Sequence, residues 1–375
     1  MLSGLKMLYV DPIIEGNFGR FMNNLKYIRN KVNGWPIDIM VEPTNVCNIH
    51  CVLCPTSAEY MTRQRGFMRY EDYQKVIDNI KGVTPKIALF FSGESFLHPK
   101  LIDMIKYAAD KGLRVQISTN ATKIPDNKVD DLLGSGLETL TVSVDGLSKE
   151  TYEHYRVGAD FDVVLANLKK LCARKRELGL KKPTIQVQFI CMRHNEHEVD
   201  QLEDFKNGIG IDKITVKSVA IPTWYYEGRK LDEVAKEWLP TRYSRYEVMD
   251  AIVDHVASGG TGGHNHGHGG TNVMLNFSNS TPAQDAFGTE NKWKISKPEG
   301  VCGFVRKCVI GWNGDVYMCC YDFNGQYNFG NAVTENFKNI WNSERYKQTR
   351  ELIRNWATPL CKNCAASMEI IEEVF

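Results

Sequence analysis

Cys47, Cys51 and Cys54 spell C-x3-C-x2-C just after the apolar run Ile37-Asp38-Ile39-Met40-Val41. Three thiolates this close cannot all pair as disulfides, but they can take three corners of a cubane iron–sulfur cluster. The fourth iron would then lack a protein ligand and stand open to a small molecule, as a catalytic zinc does. Structural zinc is the competing reading. His50 inside the motif offers a fourth ligand, although C-x2-H-C-x2-C forces very tight chelate loops.

A second set lies near the other end. Cys302 and Cys319 form C-x11-G-x4-C around Gly314, and Cys361 and Cys364 form C-x2-C. Four such cysteines can ligate a complete cluster, and two spaced pairs equally suit a zinc ribbon. Of the other cysteines, Cys172 reads as core packing in a helix. Cys191 ends an expected strand, and Cys308 and Cys320 flank the second set, where either could replace a ligand. Cys191, Cys308 and Cys320 each read first as buried without chemistry, with hydrogen-atom donation to a substrate radical as the alternative.

The segments downstream of the first motif give it a context. Asn48-Ile49-His50 and Val52-Leu53 between the cysteines resemble the cluster loop of radical S-adenosylmethionine (SAM) enzymes. Ile87–Phe91 reads as a buried parallel strand ending in Ser92-Gly93-Glu94, similar to that family's Gly-Gly-Glu. Val115–Thr119 ends at Asn120, like its T-N-G, and Leu140–Gly146 carries Ser143 and Asp145. The order and spacing of these segments carry the resemblance.

The resemblance implies a [4Fe–4S] cluster on Cys47, Cys51 and Cys54, whose open iron chelates SAM, and an external one-electron donor such as flavodoxin or ferredoxin. It implies SAM contacts from Ser92, Gly93, Glu94 (to the methionine ammonium), Asn120, Ser143, Asp145 and Arg156 (to the SAM carboxylate, which a guanidinium fork suits). The residue before the third cysteine is usually aromatic in the family, so Leu53 weakens the adenine contact there. Arg156 also reads as a solvated helix arginine. The C-terminal cysteines resemble the auxiliary-cluster domains called SPASM and twitch. With no cysteine after Cys364, one auxiliary [4Fe–4S] cluster on Cys302, Cys319, Cys361 and Cys364 is expected.

The elements that must position these residues alternate strand and helix. Strands are expected near 37–42, 87–91, 115–119, 140–144, 184–191 and 214–219, with helices at Tyr70–Lys81, Pro99–Lys111 and Phe161–Leu178. Such repeats give an α/β fold with a parallel sheet and right-handed crossovers, resembling a partial (β/α)6 TIM-like barrel with ligands at the strand C-termini. The chain divides into a preamble (1–36, helical around Phe18–Lys31), the barrel (37–222), a linker and insert (223–300) and a small cysteine-rich domain (301–375). Within the third part, Ser258–Thr271 reads as a flexible loop with His264, His266 and His268 among glycines. Trp224, Tyr225 and Tyr226 are candidates to line a substrate entrance or to pack. Turn residues Trp312-Asn313-Gly314-Asp315 predict a hairpin, since Asn-Gly supplies positive φ.

Composition bounds the partners. With 375 residues, 43% hydrophobic, 24% charged and a net charge of +1, nothing favours nucleic acid or an anionic membrane. No apolar stretch reaches spanning length and no signal peptide is evident. A cytoplasmic location is expected, where eleven cysteines favour metal over disulfides. The expected activity is oxidation or epimerisation of a carbohydrate or aminocyclitol-type small molecule. Peptide or protein modification, by thioether formation or sulfatase-maturase-like oxidation, is the alternative. A zinc-stapled binding protein without catalysis is a third.

Overall fold

The computed structural model describes residues 34–57, 60–241, 292–296, 302–364 and 369–373. The expected helix around Phe18–Lys31 and the glycine–histidine loop lie outside them. Strands run in order β1 (Asp38–Val41), β2 (His50–Cys51), β3 (Lys86–Ala88), β4 (Arg114–Thr119), β5 (Thr139–Ser143), β6 (Arg156–Val157), β7 (Thr184–Cys191) and β8 (Lys213–Ser218). They continue with β9 (Lys292–Ser296), β10 (Lys307–Ile310), β11 (Asp315–Tyr317), β12 (Asn328–Asn331) and β13 (Glu369–Glu373). Strands β1, β3, β4, β5, β7 and β8 pair in parallel, with helices between them. This is the expected α/β architecture.

Alternation along the strands sets two faces. In β4 and β7 every second residue is buried. The buried set (Val115, Ile117, Ile185, Val187) joins Leu168 and Leu171 of the helix Phe161–Glu177 in one apolar core. The other set is polar and half-buried: Gln116 and Ser118 on β4, Gln186 and Gln188 on β7. Register puts Thr141 beside both Ser118 and Gln186, and Ser143 beside Gln188. The concave face is therefore lined with hydroxyls and amides.

The helices are fixed by ordinary local chemistry. Ser148 and Thr151 form a capping box at Lys149–Tyr155. Asp160 caps Phe161–Glu177 by accepting from the backbone of Asp162 and Val163.

Two features differ from expectation. β3 ends at Ala88, with Leu89 N–H still bonded to the Gln116 carbonyl on β4, so Phe90 and Phe91 lead into the bend at Ser92. The cysteine-rich segment is also not merely appended: β10 pairs in parallel with β1, Asp38↔Lys307 through Val41↔Ile310. The predicted hairpin is present between β10 and β11, with Gly314 at φ +88°, and β12 extends it. Among the described residues the result is one nine-stranded sheet, β12-β11-β10-β1-β3-β4-β5-β7-β8. Among the described residues no helix is long and apolar enough to cross a membrane.

Candidate active site

The cysteine loop Cys47–Cys54 leaves the C-terminal end of β1 and is strapped in place by groups the sequence did not single out. Arg65 donates to the carbonyls of Asn45 and Thr56, both at 2.7 Å. Asn45 donates to the Gln64 carbonyl and accepts from Gly66 N–H. Cys51 lies on β2, which pairs antiparallel with β6, so Cys51 faces Arg156. Strand alternation then turns His50 outward: it is exposed while Cys51 is buried. The imidazole is thus not a fourth ligand, which removes the zinc arrangement based on it.

Cys47, Cys51 and Cys54 lie close enough to raise one another electrostatically. Burial pushes the Cys51 thiol up to about 12, opposed chiefly by Arg156. A thiol so buried is a poor free nucleophile, and a coordinated metal is what would hold it deprotonated. No three His, Cys, Asp or Glu side chains among the described residues close around a single metal ion. A cubane, which takes each thiolate on a different iron, asks for wider spacing.

Around this triad the expected SAM-contact residues converge. Gly93, at φ +77°, lets the turn after β3 press on the backbone just before Cys47: a Cβ there would sit 2.5 Å from the Val46 carbonyl oxygen. Glu94 N–H donates to that same carbonyl at 2.8 Å. The Glu94 carboxylate accepts from Asn120 N–H (2.7 Å), the Thr119 hydroxyl (2.8 Å) and Phe96 N–H (3.0 Å). Burial raises this carboxyl, and those donors oppose the shift. Glu94 therefore ties the end of β3 to the end of β4 and keeps only part of its accepting capacity for a ligand. Among the described residues the buried Ser92 hydroxyl has no hydrogen-bond partner, the kind of orphan a bound ligand satisfies. Asn120 Nδ2 donates to Asn48 Oδ1 at 3.1 Å and lies 4.0 Å from Cys47 Sγ.

Arg156 is buried, so the solvated-helix reading fails. Its Nε donates to Asp145 Oδ2 at 2.7 Å, its Nη2 lies 2.5 Å from the same oxygen, and its Nη1 is 3.8 Å from Cys51 Sγ. The other Asp145 oxygen accepts from Ile190 N–H at 2.7 Å. Asp145 therefore orients the guanidinium while leaving donors on its outer edge. Ser143 is buried at the end of β5, and Leu53 packs in the core.

Cys302, Cys319, Cys320, Cys361 and Cys364 form a second gathering. Cys302 interacts with Cys361, Cys319 with Cys320 and Cys364, and Cys320 with Cys364 and Cys302. The Thr358 hydroxyl donates to Cys361 Sγ at 3.0 Å. Cys320 thus belongs to the C-terminal set. The two other candidate donors fit the burial reading. Cys191 is fully buried among Phe189, Val199, Leu202 and Val216, on the helix side of β7. Cys308 is fully buried on the face of β10 opposite Lys307 and Val309, near Tyr346 and Arg350. Alternation aims both away from the concave face. Trp224 stacks on Tyr60 at 5.6 Å, and Tyr225 packs edge-on against Trp238.

Two groups escaped the sequence reading. Glu42, fully buried just past β1, takes both Arg63 Nη atoms (2.8 and 2.9 Å) and the N–H groups of Ser92 and Trp312. Arg63 also lies over the Phe91 and Tyr317 rings. This pair joins the turn after β3 to the C-terminal hairpin; its only sequence signal was a carboxylate ending a buried strand. Lys217, on the concave face of β8, is the second. Burial lowers its ammonium to about 8, opposed by Asp145 and then Cys320.

Comparison with known proteins agrees with this geometry. The radical SAM superfamily matches residues 41–205 and the SPASM iron–sulfur cluster-binding domain matches residues 302–365. The chain belongs to the radical SAM superfamily. It is similar to the tungsten-containing aldehyde ferredoxin oxidoreductase cofactor-modifying protein of Pyrococcus furiosus, 24% identical over 87% of this chain and 86% of that one. It is also similar to Fe-coproporphyrin III synthase of Methanosarcina barkeri, 25% identical over 91% and 83%. Its fold matches Streptococcus suis SuiB, solved bound to precursor peptide SuiA, with a TM-score of 0.60 at 15% identity, covering 98% of this chain and 78% of that one. This radical SAM enzyme uses a [4Fe–4S] cluster with SAM, together with auxiliary iron–sulfur chemistry in its SPASM domain.

Proposed function

We propose that this radical SAM enzyme oxidises a polar small molecule of the carbohydrate or aminocyclitol type, held in the barrel between the two cysteine sets. The carrying observation is the concave face: Gln116, Ser118, Thr141, Ser143, Gln186, Gln188 and Thr215 present amides and hydroxyls where an apolar substrate would want aliphatic and aromatic walls. Epimerisation draws no support from Cys191 and Cys308, which face away from that chamber, and would rest on Cys320.

Residues 37–222 form the SAM-binding unit and 301–375 the auxiliary unit, joined by 223–300. Cys47, Cys51 and Cys54 would hold the SAM-binding cluster. Four of the five C-terminal cysteines would hold one auxiliary [4Fe–4S] cluster. When bound, the first cluster and SAM supply a 5′-deoxyadenosyl radical on receipt of one electron, for which ferredoxin or flavodoxin is the expected donor. The chain's own part is positioning. The Ser92 hydroxyl and the remaining Glu94 lone pair would accept from the methionine ammonium, and the outer edge of Arg156 would donate to the SAM carboxylate. Asn120 lies beside Cys47. Ser143 and Asp145 border the chamber, and the buried Leu53 shields the loop from water. Fixing one substrate C–H against the radical source is the main task left to the protein.

The test is iron and sulfide content after anaerobic reconstitution, with 5′-deoxyadenosine and substrate mass as further readouts. About eight irons per chain, falling to about four in the Cys47/Cys51/Cys54→Ala variant, is expected. A sugar or aminocyclitol should lose two hydrogens. About four irons falling to none would remove the auxiliary cluster and the oxidation it supports.

A further inference from the structure

β8 carries a cation, Lys217, that has no ion-pair partner among the described residues. Register sets Thr215 beside Gln188, and Lys217 beside Ile190. Gln188 in turn pairs with Ser143. Thr215 and Lys217, two residues apart, share the concave face, while Ile214 and Val216 pack on the helix side with Phe189 and Leu202. Thr215 is 1% exposed, and its hydroxyl has no hydrogen-bond partner among the described residues. Lys217 is half-buried and meets no carboxylate within ion-pair distance among the described residues; the acid that acts on it most, Asp145, is already held by Arg156. Lys213, on the same face one turn of the pleat deeper, has its charge disfavoured by burial alone. A desolvated ammonium with no ion-pair partner among the described residues, beside an unsatisfied hydroxyl, is costly to retain. An anionic ligand would satisfy both groups.

We propose that Lys217 and Thr215 form an anion subsite that grips a carboxylate or phosphate of the substrate. Lys217 interacts electrostatically with both Asp145, beside the first cysteine set, and Cys320, in the second. A group held there would lie between the two redox sites, with the rest of a hydroxyl-rich molecule along Ser143, Gln188 and Gln186. The inference rests on the reading of the concave face as the substrate chamber and narrows its occupant to sugar acids, sugar phosphates and their like.

Competitive trace acetylation of the anaerobically reconstituted full chain, read residue by residue by mass spectrometry, tests it. Inorganic phosphate and succinate are added in separate arms against chloride of matched ionic strength, with exposed Lys149 as internal reference. Phosphate, succinate or both should slow labelling of Lys217 and leave Lys149 unchanged, by about tenfold at ten times the dissociation constant. Whichever anion protects identifies the group recognised. Calorimetric titration of that anion should show affinity falling about tenfold or more in Lys217→Gln, the scale of one charged hydrogen bond, and falling also in Thr215→Val. Equal labelling in all arms would overturn the proposal. So would protection that tracks cluster loading rather than the added anion, since Lys217 would then be a counter-charge to the auxiliary cluster. Reductive SAM cleavage by the wild-type protein is measured alongside. Its absence would sink the proposed function, whereas an unprotected Lys217 in a protein that cleaves SAM would sink the anion subsite alone.

Discussion

Two glycines with nearly the same backbone separate conformational strain from close approach. Gly93 has φ +77° and Gly112 has φ +79°. An alanine at Gly112 would meet nothing within 4 Å, so Gly112→Ala costs only the left-handed conformation, about 1–2 kcal/mol. An alanine at Gly93 adds a Cβ 2.5 Å from Val46 O and 2.8 Å from both Asn45 C and Thr44 O. All three are backbone atoms, so the chain itself must shift, adding about 1–3 kcal/mol. The totals are about 1–2 against about 2–5 kcal/mol. At about 2 °C per kcal/mol for a large chain, the apparent Tm should fall by about 2–4 °C in Gly112→Ala and about 4–10 °C in Gly93→Ala. Scanning fluorimetry under anaerobic conditions reads this directly. The displaced segment runs straight into Cys47, so Gly93→Ala should also bind less iron while Gly112→Ala binds the wild-type amount. Equal Tm losses with full iron in both would refute the argument that the turn after β3 braces the cysteine loop.

Asp145→Asn should destabilise by about 3–5 kcal/mol in denaturant titration, because Arg156 is left buried and uncompensated; retention of wild-type stability would show that the guanidinium finds another partner. Glu42→Gln should lower stability for the same reason at Arg63, with differential scanning calorimetry as the check. Cys308→Ser should leave iron content unchanged, and Cys320→Ser should reduce it if Cys320 is one of the four auxiliary ligands, both read by iron assay. His194, pushed down to about 4 by burial and then by His154, stays neutral in the fold. Below about pH 6.5 the unfolded chain binds a proton that the folded one refuses. Stability should therefore fall as pH drops from about 6.5 toward 4, and His194→Gln should flatten that slope in pH-dependent melts.

The barrel was readable because its strands are short apolar runs bounded by turn signals, and β7 was placed to the residue. The cysteine motif and the turn at Ser92-Gly93-Glu94 stood out for the same reason: local spacing encodes them. What local spacing does not encode is pairing. Asp145 and Arg156 were each visible as site residues, yet their ion pair depends on β6 folding back onto β2. Arg63 and Glu42 are charged residues with no periodic signature, and their link to Trp312 spans most of the chain. For Cys191 and Cys308 the sequence left burial and hydrogen donation both open, because position along the chain reveals nothing of which face a side chain takes until the neighbouring helices are known; both are buried. Lys217 went unnoticed because a lysine near a strand end is usually solvated.

The parallel seam between β1 and β10 gives the C-terminal segment a second duty, as the lid on a sheet edge. All four residues of β1 are buried, and the seam extends past the strand ends, through Ile37 N–H to the Arg306 carbonyl and Glu42 N–H to the Ile310 carbonyl. A chain cut before residue 302 would leave this apolar strand with a row of free backbone donors and acceptors, a template for pairing with a second molecule. Such a fragment should self-associate even with its first three cysteines intact. The final segment must be made and docked before the first strand is protected, so the interval between them is one in which the nascent protein is exposed to aggregation.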